Sequence, residues 1–80
     1  MKIPVIKKLV EIESFDNLQK AEESLLNGEA LAIEVEGDDE GEQLTHIIAA
    51  MWIQEKMKEE GMDFKTALRE YTKKVRESIN

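Results

Sequence analysis

The stretch from about residue 40 to residue 60 constrains this chain most, because it reads as one long helix with apolar side chains on two sides. At about 100° per residue, Leu44, Ile47, Ile48, Met51 and Trp52 share one face, and Ala49, Ala50, Ile53 and Met57 fall roughly opposite. A helix that is apolar all round either sits at the centre of a fold or is shared with a partner. Asp38, Asp39, Glu40 and Glu42 crowd its start, where the helix dipole favours negative charge. Gly61 ends it.

Two further helices are marked by their end signals. Ser14 is placed to cap a helix whose first turn holds Asp16. Its stripe is Leu18, Ala21, Leu25 and Leu26, and Asn27-Gly28 is a strong stop. Asp63 is placed to cap the last helix, with Met62 and Ala67 in the positions of a hydrophobic staple. Phe64, Leu68, Tyr71, Val75 and Ile79 make its stripe, and the short break at 61–63 predicts an antiparallel hairpin with the long helix.

The remaining segments allow two readings. Pro4 suits a first helical turn, and the four-residue spacings Val5–Leu9 and Ile6–Val10 favour a short helix there. Val10 and Ile12, alternating with Glu11 and Glu13, compete as a brief strand. In 29–36, Leu31, Ile33 and Val35 alternate with Ala32, Glu34 and Glu36, again a strand pattern, but its one candidate partner is the segment at 9–13. The favoured architecture is mainly α, a small three- to four-helix bundle with an extended segment at about 29–36. The alternative is α+β, with a two-stranded β-α-β piece in the N-terminal half. Either way residues 1–80 make a single domain.

A core built from 80 residues is modest, and such chains commonly add disulfides, a metal or oligomerisation. There is no cysteine and one histidine, so a disulfide, a thiolate metal site and a histidine-rich metal site are all excluded. Self-association is the remaining route, and a homodimer is expected. The two-sided helix supplies its candidate seam in Ile47, Met51, Trp52, Ile53 and Met57, since Trp and Met are common interface anchors.

Net charge is −7, and its distribution is uneven: residues 1–40 hold four lysines against eleven acids, residues 41–80 seven of each sign. A nucleic-acid role is not expected of such a chain. No stretch approaches the roughly 20 apolar residues of a membrane span, and Glu11 and Glu13 interrupt the N-terminus too early for a signal peptide. A cytoplasmic location is expected.

The acidic run from Glu34 to Glu42, six carboxylates in nine residues, raises the question of a hard cation. With Gly41 at the sixth position of an EF-hand loop, Glu36, Asp38 and Glu40 take positions one, three and five. The twelfth position is then Ile47, where a bidentate Glu is required, so the match fails. Glu42 and His46, four apart, could meet on one helical face as two metal ligands, but no third ligand is identifiable. On the last helix Lys65, Arg69, Lys73 and Arg76 form a cationic ridge beside the apolar stripe. Its expected counterpart is the acidic segment around Asp38, Asp39 and Glu40, within one chain or across a dimer. No nucleophile with a base, no phosphate-binding loop and no dinucleotide fingerprint is present, so neither an enzyme nor a cofactor is expected.

Three stretches carry a resemblance: the opening Met1-Lys2-Ile3-Pro4-Val5-Ile6-Lys7, the run AIEVEGDDEGEQLTH at 32–46, and the tail ALREYTKKVRESI at 67–79. Together they resemble an uncharacterised family of short, acidic bacterial proteins. The resemblance spans nearly the whole chain and implies a cytosolic bacterial protein with no assigned activity. It also hints at a redox enzyme as a regulatory partner, although this chain has no thiol of its own. The expected function is a protein-interaction or structural module that self-associates through the 40–60 helix. The alternatives are a small metal- or anion-binding protein using the acidic 36–46 segment, or a regulatory partner of a redox enzyme.

Overall fold

Capping chemistry fixes where the helices begin and end. The computed structural model describes residues 2–79, which form four helices and no strand: α1 (Ile3–Ile12), α2 (Phe15–Leu26), α3 (Glu40–Glu60) and α4 (Phe64–Ile79). Pro4 lies in the first turn of α1, where its missing N–H costs nothing. The Ser14 hydroxyl accepts the Asn17 N–H at 3.1 Å, Asp39 accepts that of Glu42 at 2.8 Å, and Asp63 accepts that of Thr66 at 2.8 Å. Each bond satisfies one of the amides that a helix start leaves without a partner. Gly28 (φ 72°) and Gly61 (φ 65°) take the left-handed conformation that closes α2 and α3.

The β-α-β alternative is not realised. Residues 9–12 complete α1, and the Glu13 N–H closes that helix on the Leu9 carbonyl at 3.0 Å. The alternation at 10–13 has no buried face to match it, since Val10 is half-buried and Ile12 is 61% exposed. With no strand at 9–13, residues 29–36 have nothing to pair with. They form an irregular connector that bends at Ala32 and Ile33, tucking Val35 into the core with Leu31 and Ile33 half-buried beside it.

α3 is the hub. α1, α2 and α4 all pack on it, and no other pair of helices makes more than marginal contact. Ile6, Leu18, Ile47, Ala49, Ala50, Ile53 and Ala67 have no exposed surface at all. The alanines let helix backbones approach closely, while each buried isoleucine or leucine contributes about 1.5–3 kcal/mol. The apolar character found all round α3 is thus largely consumed within one chain. On α4, Ala67 and Tyr71 turn inward, with Phe64 and Leu68 half-buried and Val75 exposed at 36%. The side chain of Ile79, the last member of that stripe, lies outside the described residues.

Candidate functional site

Two surfaces hold the chemistry of this chain, one at the start of α3 and one along α4. The first begins with three consecutive connector residues clamped onto α3. The Gln43 Nε2 donates to the Val35 carbonyl at 2.8 Å, and a ring nitrogen of His46 meets the Glu36 carbonyl at 2.8 Å. Gly37 passes so close that a Cβ there would stand 2.8 Å from both the backbone nitrogen and Cγ of Gln43. With Val35 buried between them, Glu34 and Glu36 are turned to solvent.

His46 is wholly buried. Its Nε2 accepts the backbone N–H of Lys2 at 2.9 Å, so Nδ1 carries the ring proton and donates to Glu36. Both nitrogens are therefore committed to the backbone. Glu42, one turn earlier, looks elsewhere. Its Oε1 accepts the Asp38 N–H at 3.1 Å and lies 4.0 Å from the Lys2 ammonium, which is also 3.7 Å from Asp38. The Glu42–His46 pair thus serves helix capping and the N-terminus. Among the described residues no group of three or more His, Cys, Asp or Glu could hold a metal ion. The Lys2–Asp38 contact is largely exposed on both sides and worth little.

At its other end α3 meets α4 through an aromatic contact. The Trp52 and Tyr71 rings lie 5.6 Å apart with planes tilted by 56°, and the Lys56 ammonium sits 5.4 Å from the Trp52 ring centre. Lys56 also donates to Glu60 at 2.7 Å, one turn on. That bond, with the Glu60 charge, raises the Lys56 pKa, and burial raises that of Tyr71.

The cationic ridge is a real surface feature. Lys65, Leu68, Arg69, Thr72, Lys73 and Arg76 line a shallow groove of about 570 Å³ on α4. Lys65, Arg69 and Lys73 are exposed. Within the chain this ridge does not meet the acidic segment: among the described residues the ion pairs of Asp38 and Glu42 go to Lys2, and Asp39 is spent on capping. Glu40 is exposed in the first turn of α3.

The seam residues divide into two groups. Ile47 and Ile53 are fully buried in the single chain, and Met51, Trp52 and Met57 are half-buried against its core. Ile48, on the same helix, is 40% exposed, with half-buried Leu44 and Trp52 one turn to either side. Sequence reasoning missed Gln43, Gly37 and Gln54. The Gln54 amide donates to the Val10 and Glu13 carbonyls at 3.1 and 2.6 Å and so fastens the end of α1. A signal for buried His46 was present, since it precedes Ala49, Ala50 and Ile53 by three, four and seven residues on the inward side of α3.

None of the helices is long and apolar enough to cross a membrane among the described residues. No curated protein and no solved structure matches the chain. A family model does, and it takes in residues 1–80. The helical bundle, its clamped connector and its cationic helix are therefore the features of a member of the family of unknown function DUF6952, to which this chain belongs.

Proposed function

We propose that this protein is a non-catalytic interaction module that pairs with a second copy of itself across the outer side of α3. The observation that carries this reading is Ile48. After α1, α2 and α4 have covered the hub helix, this isoleucine is still 40% exposed, between half-buried Leu44 and Trp52. A two-fold axis there sets the strip against its own copy, as symmetric dimers do. Such pairing also supplements a core that 80 residues can build only modestly. Ile48→Glu is the decisive variant, because an exposed position tolerates the charge in the monomer. Sedimentation equilibrium is expected to show a dimer for the wild type and a monomer for the variant, with equal helicity by circular dichroism. A wild type that stays monomeric at high micromolar concentration refutes the reading.

A further inference from the structure

The charges of α4 are sorted by side. The helix carries five cationic side chains against two carboxylates. Both carboxylates, Glu70 and Glu77, stand on the side of Trp52 and Lys56, where they line a cleft with Glu60 and Lys74. The groove of about 570 Å³ on the other side contains no acid: Lys65, Arg69, Lys73 and Arg76 line it with Leu68 and Thr72. At about 100° per residue these four cations fall within one quarter of the helix circumference, along about 16 Å of its axis. All four are exposed. Among the described residues no carboxylate lies within ion-pair distance of Lys65, Arg69 or Lys73. The charge of Asp63 reaches Lys65 and Arg69, but that carboxylate is engaged in capping.

An apolar row runs beside the cations. Leu68, Thr72 and Val75 are four and then three residues apart, so they share one line along the helix. Leu68 and Thr72 are half-buried and Val75 is 36% exposed. A ligand in the groove therefore meets positive charge along one edge and apolar surface along the other. Small inorganic anions use only the first edge. Long polyanions and anionic membranes extend past the flank, and outside it seven cations remain against eighteen acids. What the flank gains with such a partner, the rest of the surface opposes. A short acidic segment that stops with the flank escapes that repulsion, and apolar side chains beside its carboxylates satisfy the second row.

We infer that the outer flank of α4 docks a short acidic amphipathic segment of a partner protein. Its carboxylates lie on Lys65, Arg69 and Lys73, and its apolar side chains cover Leu68, Thr72 and Val75. Arg69 can hold one carboxylate through two parallel hydrogen bonds, which a lysine cannot do. About three helical turns span the flank. The site shares no residue with the strip of α3 around Ile48, so either reading can fall without the other.

A labelled peptide tests it by fluorescence anisotropy at low salt. The probe is a helix of about twelve residues, with glutamates along one side and leucines along the next. It is expected to bind the wild type, and Arg69→Glu with Lys73→Glu is expected to weaken binding at least about tenfold. Lys7→Glu with Lys8→Glu makes the same charge change at exposed positions of α1. That control is expected to alter binding by less than about twofold. A probe with serine in place of leucine is expected to bind at least about fivefold more weakly. Circular dichroism verifies that each variant keeps its fold. Lys65→Gln with Lys73→Gln, which introduces no new charge, repeats the test with an expected loss of about threefold. No binding up to about millimolar protein overturns the inference, as does an equal loss in the α1 control or a serine probe that binds as well as the leucine probe. A thymidine oligonucleotide or phosphatidylserine vesicles that bind more tightly than the peptide also overturn it, and give the flank to a phosphate-bearing partner.

Discussion

His46 accepts the backbone N–H of Lys2 at 2.9 Å across 44 positions of sequence, and through its other nitrogen it holds the Glu36 carbonyl at 2.8 Å. One buried ring thus joins the start of α1, the connector and α3. His46→Ala leaves both backbone groups without their partner and opens a void, and is expected to cost about 2–4 kcal/mol in urea unfolding. His46→Gln, which can replace one of the two bonds, is expected to fall between.

Gly37→Ala tests the close approach of the connector. The added methyl would meet the Gln43 backbone nitrogen at 2.8 Å, and backbone cannot swing aside as a side-chain tip can. The expected cost is about 1–3 kcal/mol. Weakened amide protection at Gln43 and its neighbours, read by hydrogen exchange, would accompany it.

Gln54 ties the end of α1 to the hub by its two bonds to Val10 and Glu13, while its own Oε1 is buried with no hydrogen-bond partner among the described residues. Gln54→Ala is expected to destabilise by about 1–3 kcal/mol and to fray the last turn of α1. Faster exchange of the Glu13 amide, bonded to Leu9, is the local readout.

The contrast between adjacent faces of α3 is a fourth test. Ile53→Ala, at a fully buried position, is expected to cost about 2–5 kcal/mol. Ile48→Ala, at a 40% exposed position, is expected to change monomer stability by about 0.5 kcal/mol or less. Chemical denaturation at a concentration where both are monomeric separates the two.

Asp63 provides a pH signature. The Thr66 hydrogen bonds, and then Lys65 and Arg69, hold its carboxyl below the usual carboxylate range. A carboxyl with a lower pKa folded than unfolded binds fewer protons in the native state. Its contribution is therefore complete above about pH 4 and is lost as pH falls through the folded value. Asp63→Asn keeps a capping oxygen without the charge. Its melting temperature is expected to lie below wild type at pH 7 and to approach it in acid.

Much of this fold was legible because helix ends carry local chemistry. Ser14, Asp63, Gly28 and Gly61 each act where their residue type predicts, and the hub helix spans Glu40–Glu60 as its pattern requires. The first segment was ambiguous for a physical reason: Val5, Ile6 and Leu9 fit helix spacing, while the Val10–Glu13 alternation imitates a half-buried strand. Only the position of α3 decides between them. The pairings of His46 with Lys2 and of Gln54 with Val10 and Glu13 span more than 40 residues, and no local periodicity encodes them. The two-sided apolar pattern of α3 suits burial on several sides as well as a shared seam, so sequence could not tell Ile53 from Ile48.

The hub arrangement also orders how the molecule comes apart. α3 is braced by three neighbours and α4 by principally one, so α4 can lift away at lower free energy than the whole fold needs to open. Trp52, the single tryptophan, stands at that joint against Tyr71. Its fluorescence therefore reports the departure of α4, whereas the slowest-exchanging amides of α3 report the loss of everything else.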